Sequence, residues 1–384
     1  MTISPVIVMV KLDRRQLLAG MGAVLAAPAM NAVAASSELP KIAPADAGLA
    51  SDIAERLDKL VASGRAWKLH GVVILRKGGL VLERYDAGED EIGGDSIGRV
   101  AFGPDTLHDL RSVTKGILGL LYGVALAQGK VPPPERPLME CFPEYSDLAT
   151  DPRHQRLTIA HALTMSLGLE WNEDVPYEDP ANSEDQLESA PDRYRYIFSR
   201  PFVVDPGTRW IYGAAAPTLI GKLIQKGTGQ SLPDFARAVL FDPIGIGATA
   251  WNKASNGEPV AASGLRMTPR DLARIGQLIL NRGQWQGRAV VPAEWLERSF
   301  QPRFSVDEFR RYGYFWYIGD FQYGAPPNRP IAHWIGAFGY GGQRLFVLPE
   351  LDIAVAITTG NYADKDQWIP PVRVIREVVL PSVL

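Results

Sequence analysis

Apolar residues recur at helical spacing over residues 49–63, and the pattern then changes to short apolar runs at 71–75 and 79–84 separated by Lys77-Gly78. That change predicts a first helix followed by a β-hairpin. Residues 116–127 form a nearly uncharged run that predicts a buried helix, closed by Gly129 and the Pro132-Pro133-Pro134 sequence. The pattern stays helical through 158–167, 191–199, 214–228, 232–241 and 268–281, with Asp271 and Arg274 expected on the outer face of the last of these. Strand-like runs return at 312–318, 343–348 and 352–358, before a terminal helix at 370–379. Strands at both ends enclosing a block of helices predict an α+β chain: one sheet assembled from both chain ends with flanking helices, and an inserted, mostly helical domain. The expected boundaries are 45–111 and 290–384 for the sheet domain and 112–289 for the helical domain.

Composition narrows the class without naming it. The 384 residues are 46% hydrophobic with 22% charged, as in ordinary globular chains, and the length suggests about two domains. A net charge of −3 and the lack of a basic cluster argue against a nucleic-acid partner. With Cys141 as the one cysteine, neither an intramolecular disulfide nor a thiolate metal cage can form. The N-terminus carries Arg14-Arg15 ahead of a short Ala- and Gly-rich stretch and Ala32-Val33-Ala34, which predicts a twin-arginine export signal over 1–35 and a linker over 36–47. The expected location is therefore periplasmic or secreted, with no stable membrane insertion after cleavage.

Candidate chemistry centres on Ser112-Val113-Thr114-Lys115 at the mouth of the uncharged helix. Residues three apart on a helix are neighbours, so the Lys115 amine reaches the Ser112 hydroxyl. The unpaired N–H groups and positive dipole end of the first turn favour an uncharged amine there, which suits activation of a weak hydroxyl nucleophile. Two other hydrolase chemistries lack the setting they need. Ser96 alone has glycines at both −2 and +2, in Gly94-Asp95-Ser96-Ile97-Gly98, but no apolar helix follows it, so it does not read as the strand-to-helix nucleophile elbow of an α/β-hydrolase. His70, His108, His154, His161 and His333 show no H-x-x-x-H or H-E-x-x-H spacing, which makes a zinc hydrolase improbable. Tyr212, between Pro206-Gly207 and a helix beginning at Ala214, sits at a loop-to-helix junction that can aim a side chain into a cleft.

Five ordered motifs carry a wider resemblance: residues 110–115, 157–168, 205–212, 262–271 and 339–344. Together the chain resembles the serine β-lactamase and penicillin-binding-protein superfamily, in the class C-like branch that includes 6-aminohexanoate-dimer hydrolases and family VIII carboxylesterases. The resemblance implies a β-lactamase/transpeptidase-like fold with an antiparallel sheet, and a mechanism in which Ser112 is acylated, Lys115 shares its proton and Tyr212 completes the base. A neighbouring ammonium is expected to lower the Tyr212 phenol. It also implies an oxyanion hole from the backbone N–H groups of Ser112 and Ala337, and a substrate contact from Tyr177. The family's K-T-G strand is replaced by Trp334-Ile335-Gly336, where Trp334 is expected to offer an apolar wall and Gly336 to let substrate approach closely. Tyr212-Gly213-Ala214 lacks the amide side chain usual after that tyrosine.

The expected activity is hydrolysis of small esters or short uncharged amides, with no metal or organic cofactor required. A D,D-peptidase or weak β-lactamase is the runner-up within enzymes, and a catalytically degenerate binding protein of the same fold is the rival outside them. Neither the physiological substrate nor the oligomeric state is legible.

Overall fold

The computed structural model describes residues 39–177, 179–324, 327 and 329–384. The export signal expected over 1–35 lies outside the described residues, as does the beginning of the 36–47 linker. The first helix, α1 (Ile53–Ala62), leads into β1 (Leu69–Arg76) and β2 (Gly79–Tyr85). Their turn is Lys77-Gly78, with φ of +51° and +75°, the left-handed pair a two-residue hairpin demands. A second hairpin, β3 (Gly88–Ile92) and β4 (Asp95–Val100), was not evident from the pattern, because its strands are polar and mostly solvent-facing.

The pair β5 (His108–Asp109) precedes α2 (Val113–Ala127) and joins β6 (Ala250–Trp251) and β7 (Leu265–Met267) in a small sheet of order β5-β7-β6. Helices α3 (Ile159–Leu163), α4 (Ser183–Ser189), α5 (Arg193–Phe198), α6 (Ala215–Thr228) and α7 (Leu232–Ala236) follow α2. Then come α8 (Pro269–Leu280), the short hairpin β8 (Gln284–Trp285) and β9 (Arg288–Ala289), and α9 (Ala293–Ser299). The remaining strands are β10 (Phe304–Ser305), β11 (Arg310–Tyr312), β12 (Tyr317–Gln322), β13 (Ile331–Gly339), β14 (Gln343–Leu348) and β15 (Ile353–Thr359), before α10 (Ile369–Arg373).

The main sheet has eight strands in the order β10-β11-β12-β13-β14-β15-β1-β2, antiparallel at every pairing, with β1 of the N-terminal part beside β15 of the C-terminal part. Both faces are covered. Ala337, Leu345, Val347, Ala354 and Ala356 face the core shared with α2 and α8, while Trp334, Phe346, Ile353, Val355 and Ile357 face the core shared with α1 and the C-terminal helix. Such a sheet reads as continuous apolar runs rather than as alternation. Small residues set the helix distance: a Cβ on Gly276 of α8 would come within 2.7 Å of the Ala354 Cβ.

Three expectations need correction. Asp271 and Arg274 are buried rather than outward, because α8 lies under other segments and the two side chains pair at 2.5 Å. The run at 312–318 is two strands, since Phe315 adopts φ of +61° and the backbone N–H groups of Tyr314 and Phe315 are drawn to Ser299 O and Leu163 O. The helix expected over 158–167 stops at Leu163, where Met165 turns left-handed at φ +57° and Ser166 N–H closes onto His161 O.

Candidate active site

Ser112 stands at the N-cap of α2, one residue after Arg111, whose backbone is left-handed at φ +49°. A non-glycine residue held there stores strain that its surroundings must over-determine. The Arg111 guanidinium is held by Glu91 at 3.0 Å and Asp109 at 3.6 Å and lies 5.2 Å over the Tyr362 ring. One turn on, Lys115 is 2% exposed, with Nζ 2.8 Å from Ser112 Oγ and 3.0 Å from Ala262 O. A neutral amine has two N–H groups and one lone pair, so donating to the carbonyl leaves the lone pair for the serine proton. Lys115 Nζ also lies 5.0 Å from the Tyr212 ring centroid. The Ser112 hydroxyl also acts on the Tyr212 phenol, so these three side chains lie around one point.

The Tyr212 phenol titrates above its ordinary range, opposite to the expectation. Burial is the largest cause and the nearby Glu173 carboxylate adds to it, together outweighing the hydrogen bond to Ser112 that acts the other way. The phenol is therefore a proton carrier at neutral pH, not a phenolate.

Glu173 is the residue that sequence reasoning missed. Its Oε1 accepts the Trp171 indole N–H and the Ala214 backbone N–H, each at 2.6 Å. Burial and the Glu184 charge push its carboxyl up to about 7, against the pull of Lys115. The departure Tyr212-Gly213-Ala214 now has a physical reason. A Cβ on Gly213 would sit 2.2 Å from Trp171 Cδ1, so the glycine admits the indole, and the carboxylate meets the Ala214 amide. The signal available in the sequence was Trp171 and Glu173 two residues apart, an apolar-to-acidic pair in a loop ahead of Tyr212.

The strand β13 runs beside the start of α2. A Cβ on Gly116 would lie 3.2 Å from Ala337 Cβ, and one on Gly339 would lie 2.3 Å from Leu110 O, which lays the segment from Ala337 to Gly339 alongside Ser112. Pairing of β12 with β13 ends at Tyr317↔Gly336, so from Ala337 onward this strand has no β12 partner on that edge. Gly336 is mid-strand, packed under Phe338.

Trp334 does not wall the site. Side chains alternate along a strand, and two-residue parity sends Trp334 to the face opposite Ala337, where it is 4% exposed among Phe321, Phe338 and Phe346. Tyr177 is 51% exposed and donates its hydroxyl to Glu184 Oε2 at 2.6 Å, and the Glu184 charge is felt in turn by Glu173 and Tyr212. His333 is exposed and pairs with Asp320 at 2.5 Å.

A positive charge stands near this edge. Arg344 is 7% exposed and donates to Gly339 O and Gln343 O at 2.8 Å, with burial bringing it down to about 10. Its guanidinium lies 4.8 Å over Phe338, which stacks on Tyr317 at 4.8 Å.

Comparison with known proteins places this geometry. The family model described as Beta-lactamase matches residues 54–371. The 6-aminohexanoate-dimer hydrolase of Paenarthrobacter ureafaciens is 25% identical over 293 residues, 70% of this chain and 69% of that protein. The Beta-lactamase of Escherichia coli (strain K12) is 25% identical over 57% of this chain and 56% of its own length. The Lovastatin esterase of Penicillium rubens is 26% identical over 35% of this chain and 33% of its own length, so the chain spans well under two thirds of these last two relatives. Among solved structures, a putative 6-aminohexanoate-dimer hydrolase from Bacillus anthracis superposes with a TM-score of 0.65 at 19% identity, covering 86% of this chain and 84% of that one. A penicillin-binding protein homologue from Pyrococcus abyssi gives 0.60 at 18%, covering 85% and 79%.

Proposed function

The chain belongs to the Beta-lactamase family and is a serine hydrolase, and from that premise we propose that it cleaves small esters or short amides through an acyl-enzyme on Ser112. The observation that carries this reading is the Lys115 amine 2.8 Å from the Ser112 hydroxyl with its other bond taken by Ala262 O. Ser112 Oγ attacks the carbonyl carbon and its proton passes to Lys115. The partly buried Tyr212 phenol, neutral at pH 7, gives its proton to the leaving oxygen or nitrogen and recovers one from the Lys115 ammonium. Water then attacks the ester, with the same two groups working in reverse. The backbone N–H groups of Ser112 and Ala337 are our candidates for the oxyanion donors.

Ester and short-amide chemistry is supported over D,D-peptidase or β-lactamase chemistry by the K-T-G position, which holds a tryptophan turned into the opposite core instead of a lysine. Relatives named for an esterase and for a 6-aminohexanoate dimer agree with that preference. The Arg14-Arg15 pattern supports work outside the cytoplasm. A fluorophosphonate probe followed by peptide mass spectrometry tests the reading: the expected adduct is on Ser112, and an adduct on another serine, or none in a chain that hydrolyses p-nitrophenyl esters, overturns it.

A further inference from the structure

Away from the catalytic groups, His70 of β1, Asp90 of β3 and His108 of β5 converge from three strands, 1%, 2% and 0% exposed. One ligand atom from each lies within 4.8 Å of the other two. His70 Nδ1 is 2.9 Å from His108 Nε2, and His108 Nε2 is 3.6 Å from Asp90 Oδ1. We propose that these three side chains form a structural site for a divalent transition-metal cation of the zinc type, bound by His70 Nδ1, His108 Nε2 and the Asp90 carboxylate.

His108 Nδ1 lies 2.9 Å from the Asp109 carbonyl, which can only accept, so Nδ1 carries the proton and Nε2 of the neutral ring is a lone pair facing the cluster, where it accepts the His70 Nδ1–H that a bound cation would replace. That arrangement, in which a backbone carbonyl fixes the tautomer, is the usual outer support of a metal-bound imidazole. Asp90 receives the Tyr362 hydroxyl on Oδ1 at 2.9 Å, while Oδ2 is buried without a hydrogen-bond partner. Among the described residues no Lys or Arg pairs with it within 4.0 Å, and a buried carboxylate without a counter-charge is costly. A divalent cation supplies the missing charge and takes the idle oxygen. Two imidazoles and a carboxylate suit zinc and its first-row neighbours, whereas magnesium and calcium take oxygen ligands.

The surroundings hold the donors in place. The Phe102 ring stacks on His70 at 4.3 Å and lies 5.1 Å from His108, and a Cβ on Gly88 or Gly360 would come within 2.4 or 2.5 Å of the His70 ring. The site is joined to the nucleophile, since Tyr362 lies under Arg111 and Asp109 borders it, so a bound cation would brace the strained residue before Ser112. Sequence spacing could not reveal it, because the ligands are 18 to 20 residues apart on separate strands.

The test uses the full chain stripped with dipicolinate and titrated with zinc chloride, read by metal content after desalting and by the shift in Tm. The expected result is one zinc per chain with a raised Tm, and an affinity at least about tenfold weaker in Asp90→Asn, which keeps the shape of the side chain. Cobalt(II) in place of zinc should give visible d–d absorption in the wild type and lose it in Asp90→Asn, a readout that does not depend on a stability change. A His333→Ala control removes the exposed His333–Asp320 pair and should bind as the wild type does. Failure to retain zinc, equal affinity in Asp90→Asn, or loss of binding in His333→Ala overturns the proposal.

Discussion

The Ala214 backbone N–H meets Glu173 Oε1 at 2.6 Å, so the loop before Tyr212 and the helix after it are joined through a carboxylate that also feels Lys115. Because that carboxyl sits near 7, above its ordinary value, the folded state holds its proton more tightly than the unfolded chain does. Its contribution to stability is complete below the ordinary carboxylate range and is lost as pH rises through about 7. Glu173→Gln removes this dependence. The Tm of wild type should fall relative to the variant between about pH 5 and pH 8, and the inflection near 7 in kcat/KM should disappear. Parallel melting curves across that range would show that Glu173 is not the titrating group.

Ser112→Ala should abolish p-nitrophenyl ester turnover, and Lys115→Met or Tyr212→Phe should each lower kcat by at least about 10²-fold, the usual scale for an acid–base group. Circular dichroism of each variant separates lost chemistry from lost fold. Turnover of Ser112→Ala at the wild-type rate would remove the acyl-enzyme from consideration.

Gly213→Ala places a methyl where Trp171 now lies, so the indole must move and Glu173 loses one of its two donors. The expected outcome is a loss of kcat of about tenfold or more with KM little changed, since a positioned group is displaced while the binding surface remains. Steady-state kinetics on one ester decide it; a change confined to KM would place Gly213 in substrate binding instead.

Trp334→Ala tests the parity of β13. A buried aromatic cut to alanine costs about 3–5 kcal/mol, so chemical denaturation should show a large loss of stability. Ester KM of the folded variant should match the wild type. A raised KM with unchanged stability would return Trp334 to the substrate wall.

What was legible in the sequence follows from local chemistry. The α2 run, β1 and β14–β15 announce themselves because their burial is continuous, the β1–β2 hairpin because its turn carries Gly78, and Ser112 with Lys115 is legible because helix geometry alone brings i and i+3 together. Glu173 is a different case: its role depends on Gly213 leaving room for Trp171, a contact no spacing rule encodes. Trp334 fails as a wall for the complementary reason, since a motif fixes position along a strand but the register with β12 and β14 decides which core receives the side chain.

The pairing of β1 with β15, which sets Leu69 opposite Thr359, has a consequence for biosynthesis. At the usual ~5–20 residues per second, the ribosome needs roughly 15–60 s to deliver the second strand after the first has emerged. Until then the sheet that carries Ala337 past the serine cannot close, so the nucleophile is without that flanking strand for as long as the C-terminal part is unsynthesised.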